Sequence, residues 1–319
     1  FMAMCAFRGT RKECEVIMQA LVVYNIYSGK SKIVKNIDYI CQRLKSKYEI
    51  VETFASTGPN SIRDYVFQNA MNYDLVVAAG GDGSINEVIN GLMMIPNRPT
   101  LAYVPTGTCN DTGKTLGLKR SLRKTMKIIL NENKTFLDVN QINGQYFIYG
   151  LAAGNLTDVS YAASYKVKKR FGKFAYYFET VKSFSKDRTI HIDIQANGRL
   201  ISGKFFLFLA TNSRYLASFK LHRKKRIYLN EGKLYVTLIR KTNRFINTID
   251  FVLFMLLGER YKHNIEHFET SNMVITSKNA IPYNTDGESL PKLSRIEVTV
   301  LSEQIEMIVS KRVLKRHFN

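Results

Sequence analysis

The chain has 319 residues, 45% of them hydrophobic and 23% charged, a balance that excludes a disordered chain and one too short to bury a core. Lysine and arginine outnumber aspartate and glutamate 47 to 26, giving a formal charge of +21, a field that favours anionic partners (nucleic acid, acidic lipid, phosphorylated small molecules) without choosing among them. The longest apolar run, Phe251–Leu257, falls well short of the roughly 20 residues that span a bilayer, so any membrane contact is expected to be peripheral.

Residues 1–17 read unlike the rest of the chain and are expected to be a leader, with Met18 as the natural start. Ala20–Asn25 then reads as a strand. Lys32–Tyr48 reads as a helix, because Ile33, Ile37, Ile40, Cys41 and Leu44 share one side. Tyr48–Ala55 is a predicted strand, Ser61–Ala70 a helix and Asp74–Ala79 a buried-type strand. Helix Ser84–Met94, strand Thr100–Val104 and helix Leu122–Leu130 come next. Short apolar strands alternating with amphipathic helices predict a parallel sheet in a three-layer α/β/α domain over residues 18–137.

After Leu137-Asp138 the pattern changes. Tyr146–Ala152, Thr189–Ala196, Lys204–Ala210, Lys233–Ile239, Asn272–Thr276, Arg295–Leu301 and Ile305–Val309 read as strands, with turn signals at Asn197-Gly198 and Glu231-Gly232. They predict an antiparallel β-sandwich over 138–310, with helical inserts at Tyr165–Phe184 and Arg244–Leu257 and a basic tail over 311–319. The charge is uneven: +6 over 18–137 and +14 from Asp138 onward, with clusters at Lys166–Lys173, Lys220–Arg226 and Lys311–Arg316. Cys5, Cys14, Cys41 and Cys109 form no CxxC pair and read as reduced thiols of a cytosolic protein. His263 and His267 stand four apart but have no HExxH motif and no third ligand, so they read as surface residues.

Three turns carry the chemistry. Gly80-Gly81-Asp82-Gly83-Ser84 sits between a strand and a helix, where glycines admit a phosphate to the backbone and the helix N-terminus offers free N–H groups. Ser84 and Glu87 fit an S-x-x-E capping box that would start the helix. A carboxylate at Asp82 repels a phosphate unless Mg²⁺ bridges the two. Pro105-Thr106-Gly107-Thr108-Cys109-Asn110-Asp111 repeats the design after the next strand, and Asn25-Ile26-Tyr27-Ser28-Gly29-Lys30 comes after the first. In a parallel sheet all three emerge on the carboxyl edge, where ligands bind. Asp286-Gly287-Glu288 lies far along the chain; its Glu288 is placed to accept a hydroxyl proton only if the sandwich folds over the turns.

GGDGSINEVINGL at Gly80–Leu92, PTGTCND at Pro105–Asp111, LDV at Leu137–Val139, FGKFAYY at Phe171–Tyr177 and TDGE at Thr285–Glu288 together resemble the diacylglycerol kinase catalytic family, which includes bacterial soluble lipid kinases and sphingosine kinases. GGDG alone also occurs in NAD kinases and phosphofructokinases; the combination is far more specific. The resemblance implies an N-terminal nucleotide domain, a C-terminal lipid-substrate sandwich and an active site between them. It implies ATP, Mg²⁺ and phosphorylation of a lipid hydroxyl, most simply diacylglycerol to phosphatidic acid. Asn25, Ser28, Gly29, Thr57, Gly80, Gly81, Asp82, Gly83, Ser84, Asn86 and Thr108 would contact nucleotide. Asp82, Asp111 and Asp138 would organise the catalytic Mg²⁺ through water, Glu288 would be the general base, and Lys30 and Lys168 would be assisting cations. Glu231 stands where relatives often carry an aspartate for a second, structural Mg²⁺, but Tyr228 and Lys233 are poor neighbours for a metal.

The partners expected are ATP, a lipid alcohol and the anionic inner face of the membrane, with no nucleic acid; a homodimer is compatible with the sequence. Phosphatidylglycerol or a sphingoid base stands as an alternative acceptor. A non-catalytic anionic-lipid or nucleic-acid binder is the alternative of another class, and the intact set of carboxylates argues against it.

Overall fold

The computed structural model describes residues 17–26, 33–107, 110–118, 121–155, 188–216, 219–222 and 230–317. Strands β1 (Gln19–Tyr24), β2 (Ile50–Ala55), β3 (Leu75–Gly80) and β4 (Thr100–Pro105) lie side by side in the order β2-β1-β3-β4, all parallel. Helices α1 (Ile37–Leu44), α2 (Ser61–Asn69), α3 (Asp82–Leu92), a short α4 (Asp111–Thr115) and α5 (Leu122–Leu130) connect and flank them. Successive strand residues serve opposite faces, as the pleat requires. Leu21, Val23, Val76, Ala78 and Tyr103 pack with Ile62 and Val66 of α2 and Ile85 and Val88 of α3. Ala20, Val22, Val77, Ala79 and Val104 pack with Ile40 and Leu44 of α1 and Met126 and Ile129 of α5. These are the three layers the alternating pattern predicts, because both faces of a buried parallel sheet must be apolar.

The remainder is predominantly antiparallel sheet. Its strands are β5 (Lys134–Ile142), β6 (Gln145–Phe147), β7 (Gly150–Gly154), β8 (Ile190–Ala196), β9 (Arg199–Thr211), β10 (Tyr215–Leu216), β11 (Phe219–Lys220), β12 (Leu234–Arg240), β13 (Ile265–Thr270), β14 (Asn272–Ile281), β15 (Tyr283–Thr285), β16 (Glu288–Ser289) and β17 (Leu293–Ile308). Inward residues such as Phe147, Ile192, Phe205, Phe208, Val236, Ile275 and Val298 form a second apolar core. Helix α6 (Arg244–Leu257) occupies the span the sequence predicts, and a last helix, α7 (Lys311–His317), occupies the expected basic tail. The Asn197-Gly198 signal is a two-residue hairpin: both residues have positive φ, and Ala196 pairs with Arg199.

Several spans differ from expectation. The helix expected over Lys32–Tyr48 is, among the described residues, a 3₁₀ turn at Val34–Asn36 followed by α1. The single strand expected over Tyr146–Ala152 is two, β6 and β7, because Ile148 and Tyr149 give their backbone N–H groups to a carboxylate instead of a neighbouring strand. The two strands expected over Arg295–Leu301 and Ile305–Val309 are one, β17, with a register shift between Leu301 and Ile305. Its first part pairs with β14 and its last part reaches β4 at Met307↔Leu101. Strand β5 runs beside β17 along both parts, so these two strands are shared by the parallel and antiparallel regions. His263 and His267 do not share a helix: His263 comes after α6 and His267 lies on β13, bonded to Thr237. The expected insert Tyr165–Phe184 lies outside the described residues.

Candidate active site

The ends of β1, β3 and β4 fall on one edge and are tied together through the backbone. Thr106 and Gly107 donate N–H to the Gly80 carbonyl at 2.8 and 3.2 Å, and Asn25 donates to Ala79 O at 3.3 Å. The buried Tyr103 hydroxyl adds a bond to Gly80 O at 3.2 Å. Two glycines are required by close approach. A Cβ at Gly80 would lie 2.2 Å from Ser84 Oγ, and one at Gly107 would lie 2.6 Å from Gly81 Cα.

Helix α3 starts at Asp82 with extended Gly81 in the cap position, and no side chain caps it. The expected Ser84–Glu87 capping box does not form. Because the turn at Gly81 has already started the helix, Ser84 lies inside its first turn, and Glu87 projects to the packed helix α2. There the Glu87 carboxylate accepts N–H from Ile62 (3.1 Å) and Arg63 (3.4 Å), serving the start of a different helix. Burial pushes the Glu87 carboxyl up from its ordinary range.

Asp82 crosses to the other turn. Its carboxylate accepts N–H from Asp111 (3.3 Å) and Thr112 (3.2 Å) at the start of α4. Burial, and then the charge of Asp111, push the Asp82 carboxyl upward, against the pull of those N–H groups. Asp111 is fully buried and pairs with Lys114 Nζ at 2.8 Å. Lys114 was not singled out from the sequence; its spacing of three from Asp111 on a helix is the signal that points to it.

Asp138, on β5, accepts N–H from Gly232 (2.7 Å) and Glu303 (3.0 Å). Burial raises its pKa, with smaller pushes from Glu303 and Glu231. Asp138 also lines a cavity of about 20 Å³ with Thr112, Thr115, Tyr149, Asn212 and Ser213. Asn212 Oδ1 is buried there without a protein hydrogen-bond partner. An uncommitted oxygen beside a buried carboxylate suits water or a hydrated hard cation. Among the described residues no three His, Cys, Asp or Glu side chains are placed together to hold an ion. Glu231 accepts the Tyr235 hydroxyl at 2.5 Å.

The distant TDGE turn comes to the same edge. A Cβ on Gly83, in the first turn of α3, would lie 3.3 Å from Glu288 Oε1. Asp286 fixes that approach. It is buried, with positive φ, and its Oδ2 accepts from Ile148 N (2.6 Å) and Asn86 Nδ2 (2.9 Å). Its Oδ1 accepts from Tyr149 N (2.9 Å) and Gly150 N (3.0 Å). Burial pushes the Asp286 carboxyl up to about 6, and the four donors pull the other way. The sequence marked Asp286 only as part of a turn; its role as the clasp between α3 and the β6–β7 break required the fold. Asn86, expected at the nucleotide, is one side of that clasp.

Thr57 is exposed in the loop after β2, which Ser61 Oγ organises by accepting from Thr57 N (3.1 Å) and Gly58 N (3.3 Å). Ser28, Gly29, Lys30, Thr108 and Lys168 lie outside the described residues.

Residues 19–142 match the family model described as "Diacylglycerol kinase catalytic domain". The chain is 30% identical over 276 residues to a diacylglycerol kinase of Bacillus subtilis, covering 85% of this chain and 89% of that one. It is 31% identical over 283 residues to a diacylglycerol kinase of Staphylococcus aureus, covering 86% and 87%. Among solved structures, a diacylglycerol kinase from Bacillus anthracis superposes with a TM-score of 0.72 at 22% identity, over 92% of this chain and 98% of that one. An NAD kinase from Archaeoglobus fulgidus shares the fold more distantly, with a TM-score of 0.53 at 14% identity over 94% and 97%. At this level of identity over nearly the whole chain, with both glycine turns and the TDGE turn meeting at one edge, the protein belongs to the diacylglycerol kinase family.

Proposed function

We propose that the protein transfers the γ-phosphoryl group of ATP to a lipid hydroxyl, with diacylglycerol as acceptor and phosphatidic acid as product. The observation that carries this reading is Glu288, whose carboxylate oxygen lies beside Gly83 at the start of α3. A base must stand where the phosphates are bound, and a helix N-terminus after a glycine turn is a phosphate-binding element. Asn25, Thr57, Gly80, Gly81, Gly83 and Ser84 cradle the nucleotide, together with Ser28, Gly29 and Thr108. Glu288 takes the proton from the lipid hydroxyl as that oxygen bonds to the γ-phosphorus and the bond to ADP breaks. Lys30 and Lys168 assist as cations, and Asn86 acts through Asp286 to hold the base in place.

Asp82, Asp111 and Asp138 suit Mg²⁺ held through water. When bound, the ion offsets charge on the phosphates. Glu231, committed to Tyr235 among the described residues, is the weakest member of the metal set. The protein works in the cytoplasm and docks reversibly on the anionic inner face of the membrane. Each lysine or arginine near that surface contributes about 1 kcal/mol, reduced by salt.

The test is labelled ATP with Mg²⁺ and a panel of diacylglycerol, phosphatidylglycerol, a sphingoid base and a polyprenol. Labelled phosphatidic acid is expected. Label on another acceptor reassigns the substrate, and no label on any of them defeats the kinase reading. Glu288→Ala is expected to abolish turnover while ATP binding survives; equal loss of both contradicts a base role.

A further inference from the structure

Helix α6 is apolar on two opposite sides. Asn247, Asp250, Phe251, Phe254 and Met255 face inward and are buried. On the other side Phe245 is 75% exposed, Ile249 40%, Leu256 46% and Leu257 44%, with Val252 and Leu253 partly exposed between them. At 3.6 residues per turn, positions 245, 249, 252 and 256 make one stripe about 16 Å long, which 253 and 257 widen. A soluble surface helix ordinarily puts charged and polar residues there.

Among the described residues, the charge bordering the helix is one-sided. The only acid of the helix, Asp250, is buried on its inward face and accepts from the Tyr261 hydroxyl (2.7 Å), His263 (2.9 Å) and Asn264 (3.1 Å). Nearby Glu259 faces His222 and Glu266 pairs with Arg240. Exposed Arg244 stands at one end of the helix, and exposed Arg260 and Lys262 stand just past the other. An uncharged apolar strip bracketed by long cations matches a bilayer interface, where chains insert below the headgroups and cations reach the phosphates. A second copy of the same surface would bring these cations against their own kind in a chain already at +21.

We infer that α6 is the membrane-inserting element: it lies in the plane of an acidic bilayer with Phe245, Ile249, Val252 and Leu256 in the acyl boundary and Arg244, Arg260 and Lys262 at the phosphates. This deepens the peripheral-docking reading, and rests on it, by naming the surface that enters the lipid. The buried face of α6 belongs to the same apolar cluster as Ile148 and Tyr149, whose N–H groups hold Asp286. The docking element therefore shares one apolar core with the support of the proposed base.

The chain contains no tryptophan, so Phe245→Trp creates a single tryptophan, excited selectively near the red edge of absorption, apart from the 18 tyrosines. Mixing this variant with phosphatidylglycerol/phosphatidylcholine vesicles is expected to shift its emission to the blue, with quenching by brominated acyl chains. Leu200→Trp, at an exposed position on the β8–β9 hairpin, is expected to stay unshifted. A Phe245→Ser, Ile249→Ser, Leu256→Ser variant is expected to bind these vesicles about tenfold or more weakly at an unchanged melting temperature. If that variant misfolds, the Phe245→Trp spectrum decides alone. Protein that co-sediments with vesicles while the Phe245→Trp emission stays unmoved overturns the inference. A blue shift that appears with protein concentration and no lipid assigns the stripe to self-association and also overturns it. Wild-type protein that does not bind vesicles at all defeats peripheral docking itself.

Discussion

Gly107→Ala tests whether the two glycine turns act as one unit. The added Cβ would sit 2.6 Å from Gly81 Cα and 2.8 Å from Asn110 Oδ1. Carbon atoms in contact settle at about 3.5–4.0 Å, so the turns must separate by roughly 1 Å. The first contact is backbone, which cannot rotate aside. Overpacking of this kind costs about 1–3 kcal/mol of stability. The larger effect falls on chemistry: a displacement of about 1 Å between groups that must align costs on the order of a hundredfold in rate. The variant should therefore melt lower and phosphorylate diacylglycerol about a hundredfold more slowly under saturating lipid. Gly58→Ala is the control, because its Cβ meets nothing within 4 Å and its φ is not positive; it should leave both quantities near wild type. Gly107→Ala with wild-type turnover would refute the coupling of the two turns to the reaction.

Gly83→Ala should separate stability from rate. Replacing glycine near the start of α3 with alanine favours the helix by up to about 1 kcal/mol, while the new methyl presses Glu288 Oε1 at 3.3 Å and slows turnover several-fold; thermal melts and initial rates on one preparation read both. Asp286→Ala strands the N–H groups of Ile148, Tyr149 and Gly150, each costing about 1–3 kcal/mol, and should lower the urea midpoint together with turnover. Asp286→Asn reports the sign of the buried charge. The folded pKa near 6 lies above the ordinary 3.8, so the proton's contribution is complete below about pH 4 and is lost as pH rises through 6. Relative to wild type, Asp286→Asn should gain about 3 kcal/mol between pH 4 and 7, measured by urea unfolding across that range, and a flat difference would contradict the shift.

The parallel region was legible because its signals are local: continuous apolar runs such as Leu75–Ala79 can only be buried on both faces, and glycine turns mark their ends. Helix α6 was legible as the span Arg244–Leu257, and the fold adds its cap, Asn243, which accepts from Ile246 N. What escaped is set by partners far away in sequence. Glu87 has the spacing of a capping residue for its own helix, but α2 competes for it and wins. Tyr146–Ala152 has the composition of one strand, but Asp286, more than 130 residues on, takes the N–H groups at its centre. Likewise, nothing in the spacing of Glu288 reveals that it meets Gly83. Local pattern fixed where each functional turn begins, and tertiary competition decided which side chain serves which turn.

Strands β5 and β17 have a consequence for how the chain reaches this state. The edge of β4 is covered by the last residues of β17, some 200 positions later. During synthesis the parallel sheet must therefore wait, with an open apolar edge, until the end of β17 has left the ribosome. Pairing across such a separation is slow, and an uncovered edge invites other chains. A fragment ending near residue 137 should accordingly aggregate, and late truncations should damage the first half of the molecule as much as the second.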